Sequence, residues 1–166
     1  MTTEISLLKD SHRKTLKSAI DIACYFLCRV DRDAGDTISL LKLQKLLYYA
    51  QAWSLVLRKK PLFDQEIEAW VSGPVVRDVW NEYQVYKYGD IPVHDHCDIE
   101  WEEDELEVIE EVWNTYGELS ARHLQNLTHS ELPWRKAREG LEPAEKSKNV
   151  ISLDDMQSYY GALLEA

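Results

Sequence analysis

Residues 39–57 read SLLKLQKLLYYAQAWSLVL. At helical spacing Leu40, Leu43, Leu47, Ala50, Ser54 and Leu57 form one stripe, and Leu46, Tyr49, Trp53 and Val56 form the next. Leu41, Tyr48 and Leu55 fill the remaining circumference. A surface helix keeps a charged face, so a helix apolar nearly all round belongs inside a domain. Its length approaches that of a membrane span, but Lys42, Gln44, Lys45 and Gln51 interrupt it. A charge at a bilayer centre costs at least ~3 kcal/mol. The segment therefore reads as the central helix of a mainly α domain, single and compact, with six or seven helices over residues 1–166.

Composition agrees with that architecture. A chain of 166 residues can bury ~70% of its unfolded surface without covalent staples. Six glycines and five prolines are too few for the many turns of a sandwich or barrel. The three cysteines, Cys24, Cys28 and Cys97, are an odd number. Residues 1–20 are too polar and interrupted for a signal peptide. These features predict free thiols in a reducing cytoplasm. The net charge of -11 is uneven. Residues 1–60 carry +5 and residues 61–166 carry -16. An acidic two-thirds repels phosphate backbones and attracts basic surfaces, which argues against nucleic acid as a direct ligand.

Upstream of the central helix, residues 1–12 show little periodicity and read as a loose arm around a core of about 14–165. Leu16, Ile20, Ala23, Leu27 and Val30 trace an amphipathic helix from about Lys14 to Val30. Asp31–Asp36 is a turn, and Ser39 caps the central helix. Downstream, Arg58, Lys59 and Lys60 suit the negative end of the helix dipole, and Pro61 stops the helix. Residues 66–71, EIEAWV, alternate with period two and predict one short strand. Ile91–Val93 and Val150–Ile151 are its candidate partners. Ser72-Gly73-Pro74 is expected to end that strand and open a helix, with proline at its first position and Val76, Val79, Trp80, Tyr83 and Tyr86 on one face. An acidic helix follows from about Glu102 to Tyr116, with Leu106, Ile109, Val112, Trp113 and Tyr116 inward. Short helices run from Ser120 to His129 and around Pro133–Ala137. A last one, capped by Ser152, turns Leu153, Met156, Tyr160, Leu163 and Leu164 inward.

Few residues suggest chemistry. His94, Asp95, His96, Cys97 and Asp98 form one cluster of metal-capable side chains, with His123 and His129 as further histidines. Neither spacing matches a metal signature, and a polar loop is the ordinary reading. Cys24 and Cys28 lie one turn apart and either begin a metal site or are small packed side chains. No nucleophile elbow, phosphate loop, dinucleotide fingerprint or HExxH motif occurs. Lys45, among apolar neighbours, must either snorkel outward or meet a carboxylate, as a structural pair or a partner contact. Between Asp95 and Glu111 there are ten carboxylates and no Lys or Arg. They form either a solvated face or a docking face for a basic partner.

The blocks LKLQKLLYYAQAW (41–53), PLF (61–63) and EIEAWVSGPVV (66–76) stand in that order. They are followed by Leu119, Ser120, Leu124, Leu127, Thr128, His129, Pro133 and Trp134. Together they resemble the Panacea-domain family of SocA-like antitoxins and phage-associated GepA-like proteins, from about residue 16 to the end. The resemblance implies a helical bacterial protein that is not an enzyme and carries no cofactor. It would be a type II antitoxin that neutralises a cognate toxin by direct binding. One family member instead acts as an adaptor handing its toxin to a AAA+ protease, and a metal-dependent hydrolase using the 94–98 loop is a third possibility. Many relatives carry an added DNA-binding module, for which no residues are expected to remain here.

Six tryptophans and nine tyrosines exceed what a core this size needs, so some are expected to meet a partner. The candidates are Lys45, Arg77, Trp80, Tyr83, Tyr86 and Tyr88, together with Glu102, Glu103, Glu107 and Glu110 of the acidic segment. Acidic residues would steer a basic toxin in, and buried aromatics would supply the binding energy.

Overall fold

The computed structural model describes residues 16–93 and 97–166; the expected amino-terminal arm and His94–His96 lie outside them. Seven α-helices and one β-hairpin make up the described fold. Helix α1, Ala19–Arg29, begins later than the periodicity suggests, because Ser18 caps it. The Ser18 hydroxyl accepts from the Asp21 amide, and the Asp21 carboxylate accepts from the Ser18 amide. This reciprocal pair satisfies amides that the first turn leaves open.

Helix α2, Leu40–Leu57, is the buried axis that its sequence predicts. Ser39 caps it, and Arg58 closes it through bonds to the Ser54 hydroxyl and Asp104. Every other main element of the domain packs on α2 or on something that does. Its polar residues explain themselves once the neighbouring backbone is considered. The Gln51 side chain accepts from the amides of Leu62 and Phe63 and donates to the Phe63 carbonyl. Lys42 donates to the Gly117 carbonyl at 2.6 Å. Each replaces water for an irregular main-chain segment that has no ladder of its own.

The same device closes the hairpin. Strand β1, Ile67–Trp70, pairs antiparallel with β2, Gly73–Val76, with Ala69 opposite Pro74 and Ile67 opposite Val76. The outer groups of β1 are taken by residues 149–151: Ala69 donates to the Asn149 carbonyl and Ile151 to the Ile67 carbonyl. Alternation along an antiparallel ladder then turns the main-chain groups of Pro74 and Val76 away from β1. Proline is tolerated there because no donor is required of it. Gln44 bonds both the amide and the carbonyl of Val76, at 2.9 and 3.1 Å. Lys45 Nζ donates to the Pro74 carbonyl at 3.1 Å. Lys45 therefore neither snorkels nor meets a carboxylate; it caps a strand edge.

Two expectations for this region change. Val150 does bridge to Glu68, but Ile91 joins Ile38 beside the start of α2 instead of the sheet. Ser72-Gly73-Pro74 does not open a helix. Gly73, at φ +111°, turns the chain back into β2, and helix α3 starts only at Arg77, ending at Tyr83. A Cβ on Gly73 would lie 2.6 Å from the buried Lys45 Cε, so the turn and the lysine fit only with glycine.

A 3-10 turn, Gln84–Tyr86, follows α3. Helix α4, Glu103–Tyr116, has a capping box between Glu102 and Glu105, and buries Glu105, Val108, Ile109 and Val112. Leu106 and Trp113 are only partly covered. Helices α5 (Ala121–Ser130), α6 (Leu132–Ala137) and α7 (Leu153–Glu165) complete the body. Of the expected α7 stripe only Met156 and Tyr160 are buried; Leu153, Leu163 and Leu164 are exposed. At the centre, Tyr49 and Tyr160 both donate to Glu131, at 2.5 and 3.0 Å, and the Tyr160 and Tyr48 hydroxyls lie 2.8 Å apart. Burial pushes the Glu131 carboxyl above its usual range, and the two tyrosine hydroxyls pull it back.

The expectation of three free thiols is also corrected. Cys24 on α1 is bonded to Cys97, 73 residues further on, and Cys28 alone is free. Sequence spacing gave no sign of this pair, because only the packed fold brings the segment after residue 96 back onto α1.

Candidate partner-binding surface

The hairpin ends in Trp70, whose position is fixed from behind. Its carbonyl accepts from Trp134 Nε1 at 2.9 Å, and the neighbouring Ala69 carbonyl accepts from Arg138 at 2.9 Å. His129 stacks on Trp134 with ring centres 4.0 Å apart. Burial, with the Lys45 and Arg138 charges adding to it, holds His129 below the usual imidazole value, so this ring is neutral at pH 7. Residues 44–45, 69–76 and 128–138 thus converge on one seam behind Trp70.

In front of that seam lies a ledge. Trp80 of α3 meets Trp70 edge to face, with ring centres 5.4 Å apart. Arg77 lies over Trp70, 5.6 Å from its ring centre, and makes two bonds of 3.0 and 2.7 Å to Glu68. Those bonds hold the Glu68 carboxyl below its usual range, with a further bond from Trp70 Nε1 at 2.9 Å helping. Beyond Tyr83 the chain leaves the core. Val85 is 78% exposed and Tyr88 95% exposed, with Tyr86 also exposed and Lys87 over the Tyr88 ring. Among the described residues Tyr86 and Tyr88 are the only exposed aromatics. The aromatic surplus otherwise went inward.

Two hollows flank Trp70. One, of about 620 Å³, runs past Val71 and Arg77 to Lys146 and Lys148. The other, of about 350 Å³, lies between Trp80, Tyr88 and the first turn of α2. Both have apolar floors with cations at the rim. That pattern suits insertion of apolar side chains from a protein that places carboxylates or carbonyls around them.

The ten sequence candidates divide between two places. Trp80, Tyr88 and Arg77 gather around Trp70, and Tyr86 is exposed on the 3-10 turn that follows α3. Tyr83 and Lys45 are buried. Burial pushes the Tyr83 phenol up to about 12 and the Lys45 amine down to about 7. Glu103, Glu107 and Glu110 are exposed on α4, which packs on the Lys42–Tyr49–Trp53 side of α2. Gln44 is roughly 200° round the helix from Lys42, so the acidic face and the ledge stand on different sides. Glu102 is half-buried at the α4 cap. Nor is the acidic run wholly without cations. Glu105 is buried against Lys17 at 3.2 Å, and Asp104 meets Arg58 at 3.1 Å. Sequence reasoning did not single out Trp70, Val71 or Val85; strand alternation groups Val71 with the buried Ile67 and Ala69, yet it is exposed.

His123 is exposed on α5, and His129 lies in the stack with Trp134. Among the described residues no helix is long and apolar enough to cross a membrane. Comparison with curated proteins and with solved structures returns no match. A family model described as antitoxin SocA-like, Panacea domain, matches residues 43–135, more than half of the chain and narrower than the span of the resemblance. It takes in Gln44, Lys45 and Gln51 of α2, the hairpin, the ledge, α5 and, in α6, Trp134, so this chain belongs to the SocA-like antitoxin, Panacea-domain family.

Proposed function

We propose that this protein is the antitoxin of a type II toxin–antitoxin pair and silences its toxin by stoichiometric binding, without turning over any substrate. The observation that carries this reading is the ledge: Tyr88, 95% exposed, lines a hollow with Trp70 and Trp80, and Val85 and Tyr86 stand in solvent on the turn just before it, while Trp70 itself is held from behind by Trp134. Exposed aromatics on a fixed support are what an interface hot spot requires, because little conformational entropy is lost on binding. Arg77 and Lys87 at the rim fit carboxylates of the toxin. The exposed carboxylates of α4, on another side of the body, attract basic surface and speed the encounter. We place this action in the cytoplasm.

The test is co-expression with each adjacent open reading frame, followed by purification through a tag on one partner. Rescue of growth together with a one-to-one complex is expected for one neighbour. Failure of both with every neighbour would overturn the reading.

A further inference from the structure

The three cysteines play no part in the ledge, yet they form the tightest group of metal-capable side chains among the described residues. Cys24 and Cys28 lie one turn apart on α1, so their side chains share a face. Cys97 comes from the segment that leads back towards α4 and meets both. It is bonded to Cys24, its Cα lies 5.9 Å from that of Cys24, and its sulfur is 2.8 Å from Cys28 Sγ. All three sulfurs lie within 4.8 Å of one another. Cys28 is exposed while Cys24 is buried, so the group has a closed floor and one open side.

Helix spacing brings Cys28 to the face of Cys24, and Cys97 lies against both, so three sulfurs meet where a disulfide uses two. Tetrahedral zinc bound by thiolates places sulfurs roughly 3.8 Å apart, from bonds of about 2.3 Å. Once the Cys24–Cys97 bond is opened, the sulfurs reach that spacing by side-chain rotation about positions they already hold. Thiolates are soft ligands that select zinc over magnesium or calcium. We propose that Cys24, Cys28 and Cys97, in the reduced protein, form a three-thiolate zinc site whose fourth position faces solvent.

The chemistry balances with a named reductant. A water-soluble phosphine is oxidised to its oxide, taking oxygen from water, and the disulfide gains two electrons and two protons to become two thiols. Zinc(II) then displaces the protons of three thiols, which pass to buffer, and a water completes the coordination. In a cell a dithiol would do the reduction. The site joins α1 to the segment after the ledge, so metal and disulfide are alternative clamps on the same junction.

The experiment uses the full chain, reduced with a phosphine under argon and titrated with cobalt(II) and then zinc(II). One equivalent of cobalt should bind. It should give a thiolate-to-cobalt charge-transfer band of three-sulfur intensity and the visible bands of tetrahedral geometry, and zinc should abolish both. Cys28→Ser should weaken cobalt binding at least about tenfold while leaving the far-ultraviolet circular dichroism unchanged, since that side chain is exposed and outside the disulfide. The unreduced chain should show no band. A reduced chain that keeps its helices without a cobalt band would overturn the proposal. So would a reduced chain that loses its helices, or equal affinity in Cys28→Ser.

Discussion

Behind Trp70 the hairpin is closed by the buried Gln44 and Lys45; further along the chain Val85, Tyr86 and Tyr88 stand in solvent. The seam and the ledge meet at the hairpin, whose second strand, Gly73–Val76, runs straight into α3. In the seam Gln44, Lys45, Trp134 and Arg138 each answer a particular backbone group, so these residue types are dictated by the fold. On the ledge no internal contact demands an aromatic at residue 88. The difference teaches where to look for function within this family match: behind Trp70 the sequence is committed to folding, and in front of it the sequence is free to suit a partner.

That division is broken most sharply at Gly73. Gly73→Ala forces a Cβ against Lys45 Cε at a backbone angle that side chains avoid. The strain should cost roughly 3 kcal/mol, read as a lower midpoint in denaturant unfolding. Unchanged stability would mean that the seam yields and does not hold the ledge.

Lys45 gives a second, pH-dependent handle. Burial brings its amine to about 7 in the folded chain, against about 10.4 in an unfolded one. Between those values the unfolded state holds a proton that the folded state lacks, so this group's contribution to stability rises with pH. From pH 7 to pH 9 the wild type should gain midpoint relative to Lys45→Met. Stopping at pH 9 avoids the buried tyrosines, whose raised values act in the opposite sense above their ordinary range. Parallel profiles for the two proteins would show that Lys45 stays charged where it lies.

The acidic helix sharpens the comparison from outside. Glu103, Glu107 and Glu110 changed together to lysine should slow association with the toxin severalfold at low salt and leave dissociation nearly unchanged, because exposed charges act through encounter. Stopped-flow mixing at two salt concentrations separates the two rates. An effect confined to dissociation would move the contact from the ledge to α4.

The sequence made the axis of the fold readable and left its exceptions opaque, for physical reasons. A helix apolar on all sides is visible from spacing alone, and so were its cap at Ser39 and the caps at Ser120 and Ser152. What Gln44, Lys45 and Gln51 bind was not readable, since their partners are main-chain atoms whose exposure depends on strand register. The same limit turned Gly73-Pro74 into an expected helix start, because proline suits a first helical turn and an unpaired strand position equally well. On the candidate site, Trp80, Tyr86 and Tyr88 were picked out as excess aromatics, of which Tyr86 and Tyr88 are exposed. Lys45 and Tyr83 were misplaced because charge and aromaticity alone do not reveal depth. Cys97 was beyond reach, being 73 residues from Cys24.

The most direct test is the affinity of the double variant Val85→Ala, Tyr88→Ala for the toxin with which the wild type co-purifies, measured by titration calorimetry. Both side chains are exposed, so folding stability should stay within about 0.5 kcal/mol of the wild type. Affinity should fall about tenfold or more, the loss of at least one hot-spot contact. Unchanged affinity in a fully folded double variant would contradict the ledge as the surface by which this protein holds its toxin.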